Sequence, residues 1–115
     1  NWMMLFIDID RDKSTGWNGY DYIINRQSPT PKKVIVEKNI GNRWEWKEVN
    51  RKPYVVNGNR LEIKIDRETL GMKGKALDFE FKWNDNMQEN GNIMDFYVNG
   101  DTAPGGRFNF VYKVE

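Results

Sequence analysis

The chain contains no histidine and no cysteine. Without histidine there is no Ser-His-Asp triad, no His-ligated zinc and no His-ligated haem. Without cysteine there is no disulfide, no thiolate nucleophile and no iron–sulfur cluster. No apolar run approaches the roughly 20 residues of a membrane-spanning helix, so no membrane partner is expected. An excess of one charge is lacking too. The 18 Lys and Arg against 17 Asp and Glu leave +1, which gives no global pull towards nucleic acid or anionic lipid. The absence of cysteine suits an intracellular chain and an exported bacterial one equally. The first residue is Asn1 and the first methionine Met3, so the chain reads as processed or trimmed, with any signal peptide lying ahead of it.

What the sequence does have is aromatic residues (14%) and charges (30%) on 115 residues. That length suits one domain, residues 1–115, with a core of its own. Period-two patterning dominates. Leu61, Ile63 and Ile65 alternate with charged residues, as do Phe79, Phe81 and Trp83, and Trp44 and Trp46. Phe108, Phe110, Tyr112 and Val114 form the same pattern, broken only at Val111. Such segments read as strands with one wet face, typical of antiparallel sheets. Residues 2–7 are apolar throughout, the mark of a central strand covered on both faces. A chain opening on such a strand is expected to lack earlier strands of its sheet. Asn57-Gly58, Asn90-Gly91, Asn99-Gly100 and Gly105-Gly106 supply turns, and Gly41-Asn42 a hairpin between 34–40 and 43–49. The one helical candidate is residues 66–71, capped by Asp66 and stopped by Gly71. The expected fold is all-β, an antiparallel β-sandwich of jelly-roll type.

The densest chemical signal is Asp8, Asp10 and Asp12 at alternate positions, with Asp21 following. In a tight loop this spacing can turn several oxygens onto one hard cation such as Ca2+. The loop is not an EF-hand, because Lys13 stands where that motif needs glycine. Arg11 and Lys13 alternate with the acids and are expected to point away from them. The bland alternative is an exposed turn whose Asp side chains cap backbone amides.

Tryptophans form the second signal. Sugar rings lay apolar C–H faces on aromatic rings, while their hydroxyls need polar side chains at the rim. Trp17 and Trp83, with Asp85, Asn99, Asp101 and Arg107, form the candidate ligand set. Against it stands the usual fate of tryptophan in a β fold, which is the core. The stretch 26–60 carries nine basic and three acidic residues, a net +6 that leaves −5 elsewhere. Trp44 and Trp46 lie within it, but no nucleic-acid motif accompanies the charge, so a solvated sheet face is expected and no nucleic-acid partner. Catalysis could only use carboxylates such as Asp85, Glu89, Asp95 and Asp101, whose spacing does not differ from turn chemistry.

Two stretches carry a resemblance. FIDIDRDKSTGWNGYDYIINR spans residues 6–26, and LEIKIDRETLG, DFEFKWNDN and IMDFYVNGDTAPGGRFNFVY follow within 61–112. In this order they resemble the C-terminal half of family-nine-like carbohydrate-binding modules, the DOMON-like β-sandwiches attached to bacterial glycoside hydrolases. The resemblance implies non-catalytic sugar recognition through tryptophans and, in some members, structural calcium. Asp8, Asp10 and Asp12 look like the family's loop after its central strand. In the family, N-terminal strands carry part of the ligand site, and the resemblance, which starts at Phe6, leads one to expect that those strands lie outside residues 1–115. The expected function is a non-catalytic accessory module of an exported bacterial protein, secreted, periplasmic or at the cell surface. Its partners would be a glycan and a neighbouring catalytic domain of the same parent. The alternative is a structural or interaction domain with no small ligand.

Overall fold

A computed structural model of the chain describes residues 4–26, 33–58, 60–85, 101–103 and 109–114. Eight strands run in chain order: β1 (Met4–Asp8), β2 (Tyr22–Ile24), β3 (Lys33–Asn39), β4 (Trp46–Asn57), β5 (Arg60–Ile63), β6 (Leu77–Asp85), β7 (Asp101–Ala103) and β8 (Phe110–Val114). Every pairing among them is antiparallel, in the spatial order β5-β4-β3-β2-β1-β6-β7. The far side of β6 is shared, with β8 along residues 77–81 and β7 along 83–85. The fold is therefore all-β, as the period-two patterning predicts. The described strands are linked by pairing into one path.

That sheet curls. In flat spacing β5 and β6 would stand about 24 Å apart, five steps of roughly 4.8 Å. Yet Ile63 of β5 joins Phe79 and Phe81 of β6 around one apolar cluster. Burial of the alternating side chains on the inner side of the curl explains why the sheet bends. Strand β1 is central, between β2 and β6, and both of its faces are covered. Its continuous apolar run is thus the consequence of two buried faces.

Registered partners share a face, so the two faces can be read off the pairing. One face carries Leu5, Ile7, Tyr22, Ile24, Val34, Val36, Phe81 and Trp83 and is almost wholly apolar. The other carries Met4, Phe6 and Ile23, but also Asp8, Glu37, Glu80, Lys82 and Asn84. Glu37 is buried on this mixed face and takes a bidentate ion pair from Arg26, at 3.0 and 2.7 Å. Such a fork satisfies both carboxylate oxygens together.

The helix expected over 66–71 is absent. Bonds from Leu70 N to Arg67 O and from Gly71 N to Glu68 O close single turns there, and Met72 N returns to Arg67 O. Leu70 is buried in the apolar cluster. So short a segment does not repay helix nucleation, and docking Leu70 onto the sheet favours tight turns instead. Gly41 and Asn42 do lie in the β3–β4 connection, at φ +70° and +58°, but the turn is longer than the expected two residues: β3 ends at Asn39, β4 begins at Trp46, and Ile40 N donates to Glu45 O. Asn90-Gly91, Asn99-Gly100 and Gly105-Gly106 lie outside the described residues.

Candidate metal centre

The β1–β2 connection, residues 9–21, lies over the mixed face. Trp17 and Tyr20 exchange backbone hydrogen bonds of 2.9 Å in both directions. Gly16, at φ +74°, sits so close to this turn that a Cβ there would stand 2.1 Å from the Tyr20 carbonyl oxygen. Gly16 N also donates to Asn42 Oδ1 at 2.8 Å, tying the loop to the β3–β4 turn. The loop is therefore braced from within and from a neighbouring hairpin.

This bracing brings three carboxylates together. Asp8, Asp10 and Asp21 each present an oxygen within 4.8 Å of the others. Pairing of Ile7 with Tyr22 places Asp8 and Asp21 next to each other where β1 leaves the sheet and β2 enters it. Ile9 N donates to Asp21 Oδ2 at 3.0 Å, and Asp12 N to Asp8 Oδ1 at 3.2 Å and Asp10 Oδ1 at 3.1 Å. Thr15 Oγ1 donates to Asp10 Oδ2 at 2.7 Å. Asp12, the third acid of the sequence pattern, is not among the converging three. Its Oδ1 accepts from Ser14 N at 2.9 Å and Ser14 Oγ at 2.6 Å, so it caps a turn of its own.

The electrostatics of the cluster are those of crowded anions. Asp8 is wholly buried, and burial, with Asp10 and Asp21 beside it, pushes its carboxyl up to about 7. Burial also pushes Asp21 up to about 6, with Asp10 adding to the effect. Partial burial raises Asp10 as well, but hydrogen bonds led by Thr15 outweigh it and hold Asp10 below its ordinary value. Asp8 Oδ2 is sealed from solvent and accepts no hydrogen bond from the described residues. Hard carboxylate oxygens in this number suit a hard divalent cation. Oxygens bound at 2.3–2.6 Å to one Ca2+ lie no more than about 5 Å apart, so the 4.8 Å cluster fits that ion.

Two basic residues of the loop behave differently from each other. Arg11 turns out of the cluster, as expected, to Asp78 at 3.0 Å and Glu80 at 3.3 Å. Lys13 does not point away. Its Nζ stands 3.8 Å from Asp8 Oδ2 and 3.4 Å from Glu80 Oε1. Glu80 lies 67 residues further along the chain, and no local pattern announces that meeting.

Of the sugar-site residues predicted from sequence, the two tryptophans lie on opposite faces of the sheet. Trp17 is only 4% exposed, with its ring against Phe6, Tyr20 and Trp44 at centroid distances of 5.7, 6.3 and 4.7 Å. It is core, and too little of its ring is open to serve as a platform. Trp83 lies on the opposite face, paired with Leu5. It lines an open trough of about 330 Å³ with Leu5, Ile7, Phe79, Phe81 and Tyr112. Among the described residues lining that trough, Arg67 is the one charged side chain. Such a wall offers almost nothing to read hydroxyls. Asp85 and Asp101 are register partners across β6 and β7. Asn99, Arg107, Glu89 and Asp95 lie outside the described residues. The half-buried pair Trp44 and Trp46, which the charge pattern draws attention to for another reason, stand edge to face at 5.4 Å over the mixed face.

No protein-family model, curated protein or solved structure matches this chain.

Proposed function

We propose that the chain is a non-catalytic, carbohydrate-binding-like accessory module of β-sandwich type from an exported protein, its β1–β2 loop fastened by calcium. The observation that carries the calcium part is the convergence of Asp8, Asp10 and Asp21 around a sealed Asp8 oxygen that no hydrogen bond from the described residues reaches. The cation would neutralise charges that otherwise repel, and so hold the loop that roofs the mixed face.

The ligand surface moves from Trp17 and Trp83 to Trp44 and Trp46. These two rings are partly exposed, and the exposed polar residues Arg43, Glu45, Asn42 and Lys47 flank them. An apolar ring face with charged and amide groups at its rim is the chemistry a sugar needs.

Retention on a panel of plant, host and bacterial glycans tests the ligand, with Trp44→Ala as the variant. Retention of the native chain that Trp44→Ala abolishes, with folding intact, is the expected result. Failure of the native chain to bind any glycan would remove the carbohydrate reading and leave a structural domain. Melting in calcium and in chelator tests the metal: equal melting temperatures would remove it.

A further inference from the structure

Resting on that calcium reading, we propose that Lys13 is a built-in counter-cation that competes with the metal for Asp8 and makes the site exchangeable. Asp8 Oδ1 accepts from the Asp12 amide, whereas Oδ2 accepts no hydrogen bond from the described residues, which makes Oδ2 the less satisfied oxygen for a cation to take. The Lys13 ammonium stands 3.8 Å from that same oxygen. An ammonium and a divalent ion cannot both hold it, so entry of one displaces the other.

The surroundings make displacement easy. The Lys13 side chain is 56% exposed and so has room to swing. Its second partner is ready, since Glu80 Oε1 lies 3.4 Å away and the Tyr20 ring centroid 5.7 Å. Glu80 is itself fixed, by Asn109 Nδ2 at 3.1 Å and Arg11 Nε at 3.3 Å. Lysine released from Asp8 therefore keeps an anion and a ring face. Gly19 keeps the path open: at φ +96°, a Cβ there would come 2.9 Å from Lys13 Cδ and 3.4 Å from Asp8 Oδ2. The stem of Lys13 thus crosses the loop where a side chain is missing, directly beside the sealed oxygen.

The loop accordingly has two loaded states, lysine on Asp8 or metal on Asp8. Lys13 prevents unrelieved repulsion in the absence of metal and lowers affinity in its presence.

The test is calcium titration of the native chain, Lys13→Gln and Arg11→Gln, read by calorimetry and by melting. Lys13→Gln is expected to tighten calcium binding by about tenfold or more, as removal of a cation a few ångströms from the site requires. In chelator it should melt below the native chain, and calcium should close that gap. Arg11→Gln removes the same charge from the same loop without touching Asp8, and should change affinity by less than about threefold. Calcium binding by Lys13→Gln alone would remove the calcium reading of the native chain and overturn the proposal, since the native site would then hold lysine and never exchange it. Equal affinity of native and Lys13→Gln chains would overturn it while the calcium reading stands. Equal tightening by Arg11→Gln would also overturn it, in favour of bulk charge. Absence of binding by all three would remove the calcium reading and the proposal together.

Discussion

Replacing Asp8 by asparagine should stabilise the protein without calcium and destabilise it with calcium. Asp8 is fully buried, and burial first, then Asp10 and Asp21, raise its carboxyl from 3.8 to about 7. A carboxyl raised in this way binds its proton more tightly folded than unfolded. The folded form therefore loses stability as pH climbs from about 4 to about 7, and bears the whole cost above that. Three pH units at about 1.4 kcal/mol each set an upper bound of about 4 kcal/mol; the Lys13 ammonium is already counted against that rise. The asparagine of Asp8→Asn keeps the shape, can still accept the Asp12 amide, and can donate to Asp10. In chelator at pH 8 the variant should then melt higher, by several degrees if about 1 kcal/mol is recovered. Near pH 3, below both the folded and the unfolded value, Asp8 is protonated in either state, so the two proteins should differ little. In saturating calcium at pH 8 the order should reverse, since only the native chain gains from the ion, by about 2.7 kcal/mol at a hundredfold excess over Kd. Thermal melts of both proteins in these buffers suffice. A variant that melts lower by the same amount in every buffer would refute the reasoning, because it would mean that Asp8 is already fully compensated as a carboxylate.

Three further outcomes are expected. Arg26→Ala strips the bidentate partner from buried Glu37 and should cost about 3 kcal/mol or more in urea denaturation. Gly16→Ala forces a Cβ onto the Tyr20 backbone and should cost well over the ~1 kcal/mol of an ordinary left-handed glycine; Gly58→Ala, at φ +62° with no atom within 4 Å, is the control for that smaller figure. Trp17→Ala should cost about 3–5 kcal/mol in the same assay, the loss of a large core ring, whereas a solvent-facing platform would cost little.

Local patterning determined the described strands and the class of fold. Alternation at residues 79–83 and the unbroken apolar run of β1 follow from how side chains leave a strand, so they are legible without knowing any partner. The place of a turn at Gly41-Asn42 is equally local, because these residue types tolerate positive φ, but its length is not, since strand pairing closes it only at Asn39 and Trp46. The acidic site was only half legible. The sequence pointed to Asp8, Asp10, Asp12 and Asp21, but Asp12 is consumed by Ser14 two residues on. Asp21 does meet Asp8, because antiparallel return of β2 onto β1 sets Tyr22 against Ile7. Lys13 was expected to point away, and Glu80, brought next to the loop by β6, helps draw it across. The fate of the tryptophans belonged to the tertiary structure entirely. Strand parity puts Trp83 on one face of its own strand, but which face the β1–β2 loop folds over decides that Trp17 is sealed on the other. A one-dimensional pattern records the direction of each side chain relative to its own backbone. It does not record which distant backbone comes to lie above it, and burial, pairing of charges and the gathering of a site all depend on that second fact.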